Sequence, residues 1–333
     1  MRAPWSMRNL AANVFSILIV VGLVVLMAIG LAKREFSTPG PLQEDVVVLV
    51  PKGSGLKDTS RQLALSGAIR NGFIFRLGAR YRREDRAMRY GEYRIPAGAS
   101  MEQILAMLVD GKTVLHKVTV PEGLTSYQIV ELLRGTEILT GEIAAVPTEG
   151  SLAAETYTIE RNQSRSDVLK QMAMLQAAVL AEAWEKRVPD LPLASPEEVL
   201  VLASIVEKET GVAEERARVA SVFINRLKQG IRLQSDPTVV YGLTEGKGPL
   251  GRGLRRSELD RATPYNTYVI DGLPPTPIAS PGRDAIMAVV NPEETGFLYF
   301  VADGTGGHVF AETLQEHNRN VAKWREIEKK NKP

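Results

Sequence analysis

From Leu10 to Ala32 the chain carries no charged side chain and is built mainly of Val, Ile, Leu and Ala, enough to cross a bilayer core of about 30 Å as a helix. The run exceeds a usual signal-peptide core, and no small-x-small cleavage site separates it from Lys33 and Arg34, so an uncleaved anchor is expected. Arg2 and Arg8 before it, and Lys33 and Arg34 after it, leave the positive-inside count nearly balanced. A short stiff linker follows, with Ser37, Thr38, Pro39, Gly40 and Pro41. Three segments then repeat one plan, an apolar strand closing on Pro-x-Gly: Val46 to Gly53, Tyr93 to Gly98 and Val118 to Gly123. Each leads into an amphipathic helix, marked by Leu56, Leu63 and Leu65, by Ile104, Leu105 and Leu108, and by Ile129, Leu132 and Leu133.

Further on, apolar spacing predicts a long framework helix from Ser166 to Arg187. A second helix is predicted to start at Ser195-Pro196-Glu197-Glu198, where Ser195 caps, Pro196 needs no donor and Glu198 completes a capping box, and to stop at Gly211. A third runs from Glu214 to Lys228. Gln234 to Gly242, the glycine-rich stretch 246–253 and Thr263 to Tyr268 read as loops rich in polar and aromatic groups. Phe297 to Ala302 and His308 to Phe310 read as a hairpin turning at Asp303 to Gly307, with a closing helix from Thr313. The fold class is α+β.

Composition changes this picture little. A chain of 333 residues with 44% hydrophobic and 24% charged side chains is ordinary for folded protein, and a net charge of +2 points to no nucleic-acid partner. Arg80, Arg82, Arg83, Arg86 and Arg89 form a local basic surface, read as a solvated helix face or, beside the anchor, a contact with anionic lipid heads or with the acidic peptides of the wall. The absence of Cys excludes disulfides, thiol nucleophiles and cysteine metal sites. There is no Gly-x-Ser-x-Gly, no His-Glu-x-x-His and no dinucleotide glycine motif, and the three His are scattered, so neither a metal nor a cofactor is expected.

The chemistry centres on Ala203-Ser204-Ile205-Val206-Glu207-Lys208-Glu209-Thr210. Leu200, Ala203, Ser204 and Glu207 follow one helical stripe, which sets Glu207 at an apolar edge where partial desolvation favours the protonated carboxyl that a general acid needs. Glu209, two residues on, points elsewhere and reads as a partner for a basic residue or a secondary polar contact. The competing reading is a solvated Glu-Lys-Glu on a surface helix. Polar and aromatic loops suit sugars, whose ring faces stack on aromatics and whose hydroxyls meet amides and hydroxyls.

The first strand unit, continued through a helix around Phe73 to Tyr81 and a strand at Tyr90 to Ile95, resembles a βααβ module of the LysM type, and such modules bind N-acetylated glycans. The blocks Ala203 to Thr210, Ala220 to Leu227, Leu233 to Gly242, Tyr265 to Tyr268, Gly272 to Pro275 and Tyr299 to Asp303 resemble the MltG (YceG-like) endolytic murein transglycosylases, over a span from about Val46 to the C-terminus. The pattern departs at Ala153-Ala154, where the family shows an aromatic followed by Pro. The resemblance implies a tail at 1–9, a transmembrane anchor at 10–32, a linker at 33–44, a LysM-like module at 45–115 and a mixed α/β catalytic domain at 116–333. It implies Glu207 as the single general acid and base, which protonates the oxygen between MurNAc and GlcNAc and then takes the proton of the MurNAc C6 hydroxyl to close a 1,6-anhydro ring. Gln234, Ser235, Asp236, Tyr241, Asn266, Thr267 and Tyr268 would grip substrate or orient Glu207. The partners it implies are peptidoglycan glycan strands, the bacterial cytoplasmic membrane and the wall-synthesis machinery, with the catalytic domain on the periplasmic side, limiting nascent strand length. Two other readings stay open: a non-catalytic wall-binding anchor, and a two-carboxylate hydrolase pairing Glu207 with Asp236 or Glu209.

Overall fold

The computed structural model describes residues 7–331, so the first six residues of the expected tail lie outside the described range. Helix α1 (Met7–Ser37) leaves Val20, Leu23, Val24 and Met27 exposed, and among the described residues it is the one helix long and apolar enough to cross a membrane. The chain divides into two compact units, Met1–His116 with Glu160–Asn162, and Lys117–Ile159 with Gln163–Pro333.

In the first unit β1 (Val46–Val50), α2 (Leu56–Leu65), α3 (Gly72–Tyr81), β2 (Gly91–Ile95) and α4 (Met101–Asp110) follow α1. The strands pair antiparallel, Val46 opposite Ile95 and Val50 opposite Gly91. Period-two alternation sends Val48 and Val50 inward and leaves Val47 and Leu49 outside. The inward set packs with Phe36, Leu63, Phe75, Tyr93, Ile104, Leu105 and Leu108 into one core. Asn71 caps α3 through its Oδ1, and α4 opens on a reciprocal Ser100 and Gln103 capping box and closes at Gly111 with φ of 72°. Glu92 on β2 is buried, which by itself raises its pKa, but the His116 hydrogen bond at 2.5 Å and the Arg161 charge at 3.0 Å outweigh burial and hold the carboxyl below its usual range.

The second unit contains, in order, α5 (Ser126–Arg134), β4 (Thr156–Glu160), α6 (Arg165–Glu185), α7 (Pro196–Glu209), α8 (Arg216–Lys228), α9 (Asp236–Thr244), α10 (Arg256–Leu259), α11 (Arg283–Val290), β5 (Tyr299–Ala302), β6 (His308–Ala311) and α12 (Leu314–Asn331). Strand β3 (Leu115–Thr119), just before α5, pairs with β4, and β5 pairs antiparallel with β6. One core gathers Ile129, Leu133, Leu152, Tyr157, Ile159, Val168 and Met172 from α5, β4 and α6. Another surrounds α7 with Val219 and Phe223 of α8 and Ile286 and Val289 of α11. The architecture is mixed α+β.

The described elements depart from the sequence reading in three places that matter here. Residues 199–206 of α7 are all buried, so the helix that reads as amphipathic is enclosed on every side until its last turn. It ends at Thr210, which is extended at φ −139° and whose Oγ1 accepts the Val212 N–H; Gly211, expected as the left-handed stop, has no positive φ. Asp236 to Thr244, expected as loop, is helix α9, with Pro237 in its first turn where no N–H is required.

Candidate active site

The buried body of α7 fixes where its last turn delivers side chains. Glu207 and Glu209 are two residues apart, about 200° around the helix, and therefore meet different surroundings. On the Glu207 side lies the backbone of residues 276–282: Ile278 N–H donates to Ser204 Oγ at 3.0 Å and Gly282 N–H donates to Glu207 Oε2 at 3.1 Å. Glu122 is another carboxylate on that side, and a side chain on Gly282 would collide with its Oε1.

The Glu209 side opens into a pocket of about 370 Å³. Its lining includes Phe223 and Arg226 of α8, Gln234, Asp236 of α9, Tyr268, Tyr299 and Phe300 of β5, and His317 of α12. Ser235 Oγ donates to Glu209 Oε1 at 2.5 Å. Burial drives the Glu209 pKa from 4.5 up to about 7, with the neighbouring Asp236 charge adding to the rise and Ser235, His308 and Arg226 opposing it. Tyr268 donates its hydroxyl to Asp236 Oδ1 at 2.6 Å, and burial followed by that carboxylate raises the phenol above its usual range. The His317 ring stacks on Tyr299 at 5.1 Å, and its buried Nδ1 has no partner among the described residues. Burial, then the Arg226 charge, lowers the His317 pKa.

Arg226 organises the pocket wall. Its guanidinium is buried and donates to the carbonyls of Leu298 at 2.7 Å, Arg232 at 3.1 Å and Leu233 at 2.8 Å, and it lies 5.2 Å from the Tyr299 ring centroid. Gln234 sits in left-handed backbone at φ 52°, a conformation that costs a non-glycine residue roughly 1 kcal/mol and is held by its N–H on the Thr267 carbonyl.

The sequence-expected residues divide accordingly. Gln234, Asp236 and Tyr268 line the pocket with Glu209. Ser235, Asn266 and Thr267 are buried and brace it: Ser235 N–H donates to Thr267 Oγ1, and Asn266 Nδ2 donates to the carbonyls of Glu258, Leu259 and Arg261. Tyr241 is not among the lining residues; its hydroxyl donates to Glu149 Oε2 at 3.1 Å, and burial raises the Glu149 pKa. Glu207, the expected centre, is not among the lining residues either. Sequence reasoning assigned no role to Arg226, Tyr299 or His317. The Glu-x-Glu spacing was the one available signal, since it guarantees that one carboxylate faces away from whatever covers the other.

The raised carboxyl makes stability depend on pH. A pKa higher in the folded than in the unfolded chain contributes stability that is complete below pH 4.5 and is lost as pH rises through about 7. Glu209→Gln, a neutral isostere, is therefore expected to match the parent at pH 5 and to exceed it by up to roughly 3 kcal/mol at pH 8. Paired denaturant melts at the two pH values check this, and an unchanged difference between them would remove the raised pKa.

The pocket gathers a carboxyl whose pKa burial pushes up to about 7 with polar and aromatic side chains from α8, α9, β5 and α12. The YceG-like family model matches residues 48–323, and the chain belongs to that family. It is 31% identical over 326 residues to the endolytic murein transglycosylase of Streptococcus pneumoniae strain D39, an alignment covering 83% of this chain and 58% of the relative, so the chain spans well under two thirds of that protein. It is 28% identical to the endolytic murein transglycosylase of Bacillus subtilis strain 168, covering 85% of this chain and 87% of the relative. A YceG-like protein of Listeria monocytogenes, solved by crystallography, is 30% identical with a TM-score of 0.53, over 83% of this chain and 99% of the other.

Proposed function

We propose that this chain is a membrane-anchored peptidoglycan lytic transglycosylase and that Glu209, rather than Glu207, is its single general acid and base. The observation that carries the assignment is a carboxyl with a pKa of about 7 lining a pocket shared with Gln234, Asp236, Tyr268 and Tyr299. A group poised near neutral pH serves both halves of the reaction. Protonated Glu209 gives its proton to the glycosidic oxygen between MurNAc and GlcNAc, and that bond breaks. The resulting carboxylate takes the proton of the MurNAc C6 hydroxyl, whose oxygen bonds to C1 and closes a 1,6-anhydro ring. Protons balance and no water enters, so one carboxylate suffices where hydrolases use two. The Tyr268 ring offers a stacking surface and Gln234 a polar contact.

Helix α1 is read as the span, with residues 10–32 in the bilayer and the remainder on the wall side, where murein lies. The β1-α2-α3-β2 order supports a LysM-like module over 45–115 that holds glycan, leaving catalysis to 116–333. The names of the relatives support murein as substrate and endolytic cleavage as the mode; action on nascent strands beside the wall-synthesis machinery is part of the same proposal.

The runner-up is a hydrolase using Asp236 as base. It rests on Asp236 lining the same pocket, where its Oδ1 accepts the Tyr268 hydroxyl. Digestion of purified murein by the full chain and mass spectrometry of the products decides: internal cuts bearing anhydro ends are expected, whereas reducing ends, one water heavier, would establish the hydrolase.

A further inference from the structure

Helix α3 carries an apolar stripe that is left largely exposed among the described residues. Phe73, Leu77 and Tyr81 recur every four residues, and they are 64%, 48% and 86% exposed. Single exposed apolar residues need no account, but three in line on one helix do. The helix's position supplies one. At its start, Arg70 Nη1 donates to the Pro39 carbonyl at 3.2 Å, just past the end of α1. At its middle, the Phe36 ring lies against Gly78, where an added Cβ would stand 2.4 Å from the ring. The residue before α3 thus meets the chain just past α1 and Gly78 meets Phe36 in the last turn of α1, an order from which we infer that the Tyr81 end of α3 points toward Ala32, the last residue of the apolar run. Phe36 is four residues past Ala32, about 6 Å along the axis, which is the depth of a headgroup layer. Charge agrees with this placement: Arg80, Arg83 and Arg86 cluster at the same end of α3 and make no ion pair among the described residues.

We propose that α3 lies at the surface of the membrane that α1 crosses, with Tyr81 and Leu77 entering the boundary between headgroups and acyl chains and Arg80, Arg83 and Arg86 engaging anionic lipid phosphates. The inference rests on the reading of α1 as a span. An apolar stripe flanked by arginines is the composition of an interfacial helix, and a tyrosine at the wet edge suits its half-polar ring. Such a contact fixes the first unit against the bilayer in addition to the single span, and so restricts how far the chain can tilt away from the membrane.

The chain has no Cys, so single cysteines report cleanly. Full-length protein carrying Val20→Cys, Leu65→Cys, Phe73→Cys, Leu77→Cys or Tyr81→Cys, labelled with an environment-sensitive dye, is reconstituted into phosphatidylcholine vesicles with and without phosphatidylglycerol. Quenching is then read with lipids brominated high on the acyl chain for the labels outside α1 and deep on the chain for the Val20 label. The expected result is a blue-shifted, quenched label at Tyr81, a weaker effect at Leu77, the least at Phe73 and none at Leu65, with the anionic lipid deepening the first two. Quenching at Val20 with Tyr81 no different from Leu65 overturns the proposal and leaves the anchor standing. No quenching at Val20 overturns the anchor reading itself, and the proposal with it. A Tyr81 label that ignores lipid and responds to soluble murein fragments also overturns it, in favour of a carbohydrate contact.

Discussion

Glu209→Gln is expected to abolish measurable release of anhydro ends, a loss of about 10²–10⁴-fold at least, because general acid-base help is worth that much in one step and this carboxyl is proposed to act in two. The amide retains the volume, and its oxygen can still accept from Ser235 Oγ, which in the parent donates to Glu209 Oε1 at 2.5 Å, so murein binding should survive. Glu207→Gln is the discriminating partner. It shares the helix turn and the charge, but its carboxylate accepts the Gly282 N–H outside the pocket lining, and its loss should change activity less than about tenfold, the scale of one hydrogen bond. The pH profile carries a second signature. An acid must be protonated to act, so activity should fall above the Glu209 pKa of about 7; Asp236→Asn, which removes a charge that raises that pKa, should move the fall to lower pH. Anhydro ends from purified murein, counted by mass spectrometry for each variant, give the answer. Retained product from Glu209→Gln with loss in Glu207→Gln would return the role to Glu207.

The elements around this site were more legible than the site. Ser195 and Pro196 mark the start of α7, and the Ser195 hydroxyl accepts the Glu198 N–H as a cap should, although the Glu198 carboxylate reaches Ala194 N–H instead of closing the box on Ser195. Local chemistry settles such features within one turn. Which of two carboxylates faces a cleft is different in kind. The stripe Leu200, Ala203, Ser204, Glu207 exists, yet it is met by the backbone of residues 276–282, about seventy residues away in sequence, and no helical period reports that. The pocket on the other side is assembled from α8, α9, β5 and α12, so Arg226, Tyr299 and His317 converge only through tertiary packing. In Gln234 to Gly242 the polar and aromatic composition suggested loop, while the Asp-Pro pair at its head was a helix start; composition outweighed position in that reading. Asn266 and Thr267 stood out as polar residues in an aromatic stretch, and burial turns them into braces whose donors and acceptors are spent within the chain.

Arg226→Met is expected to destabilise the second unit by about 3–5 kcal/mol, because it removes one member of a buried, charge-assisted network and strands its acceptors. The side chain is 8% exposed, and Met would fill similar length without a donor. The carbonyls of Leu298, Arg232 and Leu233 would each lose their guanidinium partner. One of these carbonyls leads into β5 and the other two lead into Gln234, Ser235 and Asp236, so the loss falls on both sides of the pocket. Arg226→Lys keeps the charge but replaces a planar fork with a single ammonium that cannot span Leu298 and Leu233 together, and should fall between the two. Activity is expected to drop in Arg226→Met even at temperatures where the protein remains folded, since Gln234 is held at φ 52° only while its loop is tied on both flanks. Urea melts give the stability difference, and anhydro-end release measured well below the transition separates slackened geometry from unfolding. A Met variant within about 1 kcal/mol of the parent, below the penalty for even one stranded buried acceptor, would show that this network does not hold the pocket together.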